Sequence, residues 1–239
     1  MNTDKLSMRL ETVAKYVPKD ARVADIGSDH AYLPCFLVKN YGIPYAIAGE
    51  VALGPFQSAE KNVLSEGLFD RISVRMGDGL EVIGTREVDC ITIAGMGGAL
   101  IASILEKGKE KLGCVKRLVL QPNLGAISIR KWFLENGWEL IGEQILEEDG
   151  KIYEVLIAEQ GDPYKPYADN LQMGLLLGPF LIQKKSVVFK KKWQSEINNW
   201  QRIIEQLGSA AQTSETIEKK QELIMKIRLA EEALAYEDS

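Results

Sequence analysis

The 239-residue chain is poor in the residues that build metal centres and disulfide frameworks. It has one histidine, His30, and three cysteines, Cys35, Cys90 and Cys114. The cysteines are odd in number and lack metal-ligand spacing, so reduced, mostly buried thiols of a cytoplasmic protein are expected, and no metal. No apolar run reaches the roughly 20 residues that a membrane span needs, so no membrane contact is expected. The first residues, MNTDKLSMRLETVAKYV, carry acids and helical periodicity in place of an unbroken apolar stretch, which speaks against a signal peptide. There is no internal repeat and no low-complexity tract. The net charge of −5 argues against a wholly basic nucleic-acid binder.

What is present is a core-forming composition, 46% hydrophobic, and an uneven distribution of charge. Residues 1–160 carry 18 basic and 23 acidic side chains, and residues 161–239 carry 11 of each. Within the latter, Phe180–Arg202 holds six basic residues against Glu196 alone, and Ile203–Ser239 holds four basic against eight acidic. Along residues 1–160, strand and helix signals alternate. Amphipathic or glycine-stopped helices are expected at Leu6–Val17, Tyr32–Tyr41, Pro55–Ser65, Gly98–Glu106 and Ala126–Asn136, and strands at Arg22–Ile26, Tyr45–Gly49, Ile72–Met76, Val88–Ala94 and Arg117–Leu120. Trp138–Leu146 and Ile152–Glu159 flank an Asp-Gly turn and read as an antiparallel hairpin. Alternating strand–helix units imply a parallel sheet covered on both faces. The fold expected is therefore an α/β, Rossmann-like, seven-stranded sheet, mostly parallel with a terminal antiparallel hairpin, over residues 1–160. After a proline-bearing linker, a helix is expected from Asp169 to Leu177. Phe189, Trp193, Ile197, Trp200, Ile204 and Leu207, then Leu223, Ile227, Ala230 and Leu234, follow near-heptad spacing on either side of a turn at Gly208–Ser214. Residues 161–239 are thus expected to form a helical coiled-coil domain.

In an open parallel sheet, ligands bind beyond the carboxyl ends of the strands at the switch in strand order. Those positions hold Gly27, Ser28, Asp29 and His30, then Glu50, then Gly77, Asp78 and Gly79, then Gly95–Gly98, then Gln121, Pro122 and Asn123. Glu50 suits the ribose hydroxyls of an adenosine, in a nicotinamide cofactor and in S-adenosylmethionine alike. The phosphate fingerprint G-x-G-x-x-G is missing, since Gly27–Tyr32 reads GSDHAY. Asp29 would put a carboxylate where a pyrophosphate should sit. A cationic, phosphate-free cofactor, S-adenosylmethionine, fits better, and Asp78 between two glycines can take the adenine amine. A dehydrogenase of the short-chain type is disfavoured further by the lack of Tyr-x-x-x-Lys.

VADIGSDHAYLP (Val23–Pro34), Glu50, MGDGL (Met76–Leu80), IAGMGG (Ile93–Gly98) and QPN (Gln121–Asn123) together resemble the bacterial tRNA (adenine-22, N1)-methyltransferase family, in order and spacing along essentially the whole chain. The resemblance implies a class I methyltransferase domain with a helical coiled-coil domain after it. It also implies S-adenosylmethionine as cofactor and tRNA as partner. It places the cofactor site on Asp25, Gly27, Glu50, Asp78, Gly79 and Gly95, and Ser28, Asp29, Val51, Gly77 and Ala94 are assigned to it with them. The Asn/Asp-Pro-Pro-Tyr motif of many exocyclic-amine methyltransferases is replaced by Gly95-Met96-Gly97-Gly98, so methylation of N6 is disfavoured. N1 carries its own lone pair and needs desolvation, alignment and tolerance of a growing positive charge. Asp29 and Asn123 are the candidates for stabilising that charge, His30 for holding the target or Asp29, and Tyr32 for stacking on a flipped base.

Plainer readings stand beside these. Ser28 or Asp29 could simply cap the next helix, Gly95–Gly98 could be only a tight turn, and Trp193, Trp200 and Phe189 read as a helical seam rather than a stacking surface. If their stretch is helical, Lys184 pairs with Lys191, and Lys185 with Lys192, about two turns apart. With Lys190, and with Arg9, Lys5 and Lys15 of the first helix, they are the candidate tRNA footprint. The seam could close within one chain or between two, so monomer and dimer stay open. Other readings are a methyltransferase acting on another nucleic acid or a small molecule, and a cofactor-sensing module that binds a protein partner.

Overall fold

The computed structural model describes residue 3 and residues 5–167, 170–208 and 213–235. The chain divides into two compact units, Met1–Lys165 and Pro166–Ser239.

The first unit opens with α1 (Met8–Lys15), capped by Ser7, whose side chain accepts from the Leu10 amide. Strand β1 (Arg22–Ile26) leads through a loop into α2 (Tyr32–Phe36), which continues as a wider turn over Leu37–Tyr41 and stops at Gly42. Then come β2 (Tyr45–Glu50), α3 (Leu53–Ser65), β3 (Ile72–Met76), β4 (Cys90–Gly97), α4 (Gly98–Lys107), β5 (Arg117–Leu124) and α5 (Ala126–Asn136). The long hairpin β6 (Trp138–Glu148) and β7 (Lys151–Gln160) closes the unit. Its turn is Asp149-Gly150, and both residues have positive φ, 51° and 72°, as a primed hairpin turn demands.

The seven strands lie in the order β3-β2-β1-β4-β5-β7-β6. β1 to β5 are mutually parallel, and β7 runs antiparallel to both β5 and β6. The chain therefore steps outward from β1 through β2 to β3 and then returns to the other side of β1 for β4. That reversal between β1 and β4 opens a crevice at the carboxyl ends of the strands. The central strands are nearly continuous apolar runs, because helices cover both faces: four of the five residues of β1 are buried, and five of the six of β2.

Two strands run further than their apolar cores predict. β4 continues through Gly95–Gly97 and β5 through Gln121–Leu124, and their pairing shifts register between Ala94 and Met96 and again between Met96 and Gly97. Gly95, at φ +82°, supplies the bulge. Gly95–Gly98, for which a mere tight turn is the plainer reading, is thus a bulged strand end that passes directly into α4.

The second unit holds α6 (Leu171–Leu177), α7 (Pro179–Lys184), α8 (Val187–Gly208) and α9 (Ser214–Ala235). Asp169, where the first of these helices is expected to begin, and residues 209–212 of the expected turn lie outside the described residues. Asn170 caps α6, its side chain accepting from the Met173 amide. α8 buries Phe189, Trp193 and Ile197, and α9 buries Leu223, Ala230 and Ala233. Phe189 meets Trp193 edge-on at 6.2 Å, and Trp193 lies 6.1 Å from Trp200. These aromatics are a helical seam. Among the described residues no helix is long and apolar enough to cross a membrane.

Candidate active site

The loop after β1 is held from both sides. The amides of Gly27 and Ser28 both donate to the Gly49 carbonyl on β2, at 2.9 and 3.1 Å. Asp25, 3% exposed, accepts from Ser28 Oγ through one oxygen and from Thr92 Oγ1 on β4 through the other, each at 2.6 Å. Burial pushes the Asp25 carboxyl above the usual carboxylate range, and the two hydroxyls pull it back. Each Asp25 oxygen thus already holds one hydroxyl, and the carboxylate ties the loop to β4 at the floor of the cleft. Gly27 needs to be glycine: its φ is +68°, and a Cβ there would come 2.2 Å from the Met96 methyl.

Asp29, His30 and Ala31 follow in the left-handed region, with φ of 43°, 70° and 57°. Three consecutive non-glycine residues there are strained, a feature concentrated at functional sites. The residue at the N-cap of α2 is Ala31, and no side chain caps the helix. The capping reading of Ser28 and Asp29 therefore fails, because the backbone turns left before the helix begins. Asn62 of α3 braces the loop by donating to the His30 carbonyl at 2.9 Å. His30 Nε2 lies 3.4 Å from Asp29 Oδ1, and its ring stacks on Tyr32 at 5.4 Å with 26° between planes. The Asp29 side chain is 74% exposed.

Beside this loop, Glu50 ends β2. It is only 5% exposed and accepts a backbone hydrogen bond from Asp29, yet its Oε1 has no partner. Burial raises its carboxyl above the usual range, with the nearby acids Asp25 and Asp29 adding to the rise. A buried, half-satisfied carboxylate is costly unless a ligand completes it. Val51, next to it, is exposed. The Gly77 amide donates to the Glu50 carbonyl at 2.9 Å, which brings the β3 loop to the same edge. Asp78 points to solvent and pairs with Lys107 at 3.5 Å, a surface pair of little energetic weight that a ligand could replace. Gly79, at φ +54°, packs against Ile104, which a Cβ would approach to 2.9 Å.

On the other side of β1 lies an open cleft of about 370 Å³, lined by Asp25, Gly27, Ser28, Asp29, Ala94, Gly95 and Asn123. It is lined as well by Arg9, Leu10, Met96 and Tyr153. Gln121, fully buried, organises this end: its Oε1 accepts from the Gly95 amide at 3.0 Å and from Arg9 Nη1, and its Nε2 donates to the Pro122 carbonyl at 2.8 Å. Asn123 Nδ2 donates to the Gly95 carbonyl at 2.7 Å. Arg9 lies over the Tyr153 ring, 5.5 Å from its centre. Gln121 and Tyr153 were not assigned roles by sequence. Gln121 sits inside the QPN motif, whereas Tyr153 is one alternating residue of a hairpin strand and carries no local signal.

The model of the family described as TrmK, tRNA (adenine(22)-N(1))-methyltransferase, matches residues 23–232. The chain belongs to the tRNA (adenine(22)-N(1))-methyltransferase family. It is 54% identical over 237 residues to the tRNA (adenine(22)-N(1))-methyltransferase of Bacillus subtilis strain 168, covering 99% of this chain and 100% of that one. It superimposes on the crystal structure of the B. subtilis M1A22 tRNA methyltransferase TrmK with a TM-score of 0.93 at 53% identity, over 97% and 99% of the two chains. M. capricolum TrmK, solved with the cofactor product S-adenosylhomocysteine, matches with a TM-score of 0.81 at 26% identity, over 96% and 97%.

The lysines expected to make this methyltransferase's tRNA footprint sit on two helices rather than one. Lys184 ends α7, and Lys185 takes a left-handed conformation, φ 39°, that breaks the chain between α7 and α8. The two-turn pairings of Lys184 with Lys191 and of Lys185 with Lys192 therefore do not form. Lys190, Lys191 and Lys192 share the first turns of α8, where Lys192 Nζ covers the Trp193 ring at 4.8 Å. In the first unit, Arg9 belongs to the cleft, and Lys15 lies 4.0 Å from Glu11.

Proposed function

We propose that the cleft and the Glu50 edge together bind S-adenosylmethionine and that the enzyme transfers its methyl group to N1 of adenine 22 in tRNA. The observation that carries the cofactor half is the buried Glu50 carboxylate with an unpartnered oxygen, since a ribose diol is the donor pair that such an acceptor lacks. Asp78 at the next strand end suits the adenine amine, and the exposed Val51 offers an apolar wall for the ring. When bound, S-adenosylmethionine supplies an electrophilic methyl group on a sulfonium.

The chain's own residues would do the rest by position and charge. Neutral adenine N1 carries a lone pair, so no base is needed, but the ring becomes cationic as the bond forms. The carboxylate of Asp29 and the Oδ1 of Asn123, whose Nδ2 is committed to Gly95, are the acceptors available to the N6 amine as its acidity grows. The stacked His30–Tyr32 pair offers an aromatic surface to a base swung out of its helix. Asp29→Ala and Asn123→Ala are each expected to lower turnover on tRNA on the order of tenfold to a hundredfold, with cofactor affinity falling less. Near-wild-type turnover in both would remove them from the chemistry. Mass spectrometry of nucleosides from tRNA incubated with the enzyme and cofactor tests the reaction itself, with 1-methyladenosine as the expected product.

The second unit supplies the grip on tRNA in this reading. Lys190, Lys191 and Lys192 stand on one short stretch, and phosphate contacts dominate affinity for nucleic acid. Reversing their charge is expected to weaken tRNA binding and flatten its dependence on salt, while S-adenosylmethionine binding holds. Unchanged tRNA affinity would take this segment out of the footprint. The burial of Phe189 and Trp193 of α8 in the single chain supports a monomer over a dimer through the helical seam, and a tRNA substrate supports work in the cytoplasm.

A further inference from the structure

Asp29, His30 and Ala31 hold a left-handed backbone that residues other than glycine keep only where their surroundings impose it. Each of the three has its own restraint. The Asp29 amide donates to the Glu50 carboxylate. Ala31 is fully buried, and its carbonyl accepts from the Cys35 amide at 3.1 Å in the first turn of α2. Between them, the His30 carbonyl accepts from Asn62 Nδ2 at 2.9 Å, across 32 positions of sequence.

Asn62 does not line the cleft; it stands in the last turn of α3. Its own carbonyl is taken by the Ser65 hydroxyl at 2.9 Å and the Glu66 amide at 3.0 Å, and its side chain turns to the loop. Asparagine is a poor helix former, so in α3 it is less favourable than alanine would be. What it adds is a donor within reach of the His30 carbonyl. The loop it holds carries Asp29 and the stacked His30–Tyr32 pair, the groups set against the target base in the reading above. A shift of about 1 Å in such groups can cost on the order of a hundredfold in rate.

We propose that Asn62 is a positioning residue for the methyl transfer, whose hydrogen bond keeps the left-handed loop in the geometry that presents Asp29, His30 and Tyr32 to the adenine. The proposal rests on that reading of the loop. It is tested by methylation of tRNA at saturating S-adenosylmethionine, beside calorimetric titration with S-adenosylhomocysteine and thermal melting. Asn62→Ala is expected to lower kcat about tenfold or more, with affinity for S-adenosylhomocysteine falling less and the melting temperature at or above that of the wild type. Asn62→Asp, which keeps the shape without the donor, is expected to lose at least as much activity. Adding Ala31→Gly to Asn62→Ala is expected to restore most of the lost kcat, because glycine takes the left-handed conformation without steric cost and lets the turn persist without its brace. Wild-type kcat in Asn62→Ala would overturn the proposal, and so would an Asn62→Asp enzyme as active as the wild type. A double variant no more active than Asn62→Ala would overturn it as well. A loss confined to S-adenosylhomocysteine affinity, with kcat intact at saturation, would give Asn62 to cofactor binding and overturn it too. If Asp29→Ala, His30→Ala and Tyr32→Ala all turn over as the wild type does, the reading of the loop itself has failed, a result separate from any behaviour of Asn62.

Discussion

Replacing Arg130 with methionine should destabilise the protein by about 3–5 kcal/mol, measured as the shift in a urea unfolding curve. Arg130 stands in the middle of α5 and is fully buried, yet it is charged. It is paired with Glu143 of β6, Nε to Oε1 at 2.8 Å, and with Glu154 of β7, Nη2 to Oε2 at 2.7 Å. Both carboxylates are themselves 0% and 3% exposed. Removing the guanidinium takes from two buried acids the cation they share, and that cost exceeds whatever the trio contributed when complete. The same reasoning sets the control. Changing all three together, with Arg130→Met, Glu143→Leu and Glu154→Met, removes every charge of the trio and should restore most of the loss. If Arg130→Met alone were neutral, the trio would be no structural lock. The trio also reaches the active site, because Glu154 adjoins Tyr153, the ring under Arg9. A loosened hairpin should therefore weaken cofactor binding before the protein unfolds.

That trio also marks where sequence reading stops. The order of strands and helices was legible because each carries its own local signal: apolar runs for buried strands, Gly42 and Gly137 as helix stops, Asp149-Gly150 as a hairpin turn. Glu50 was legible because an acid at the end of a strand is placed by the strand itself. Gly27 and Asp29 were legible as a departure from a known phosphate loop. What was hidden depends on partners far away in the chain. Arg9 reaches Gln121 across 112 positions and looked like one more basic residue on an exposed helix face. Arg130 reads as an ordinary polar position of an amphipathic helix until β6 and β7 fold over it. Asp29 and His30 were open to a capping role because that choice turns on backbone angles, and three left-handed residues decide against it. Lys185 misled for a similar reason: continuous spacing hides a single residue at φ 39° that ends one helix before the next begins.

Replacing Glu50 with alanine should weaken S-adenosylhomocysteine binding on the order of a hundredfold while leaving the fold intact. The carboxylate is already desolvated in the free protein and has one oxygen without a partner. Its cost is present before any ligand arrives, so the ligand's hydroxyls meet an acceptor that needs no further stripping of water. The same argument gives the stability effect its sign. Glu50→Gln relieves a buried charge and should hold or raise the melting temperature of the free protein while lowering affinity, the exchange of stability for function expected at a binding site. It also gives the pH dependence. Burial holds the Glu50 carboxyl above its ordinary range in the free protein. Hydroxyl donors stabilise the ionised form and lower it again in the complex. Binding therefore releases a proton, and affinity should climb with pH until it passes the raised value of the free carboxyl, then level off. Asp25 is raised as well, by burial, with the Ser28 and Thr92 hydroxyls drawing it back. In Glu50→Gln the climb should flatten. A slope that survives the substitution would assign the titrating group elsewhere, and an affinity untouched by Glu50→Ala would remove this carboxylate from the cofactor site.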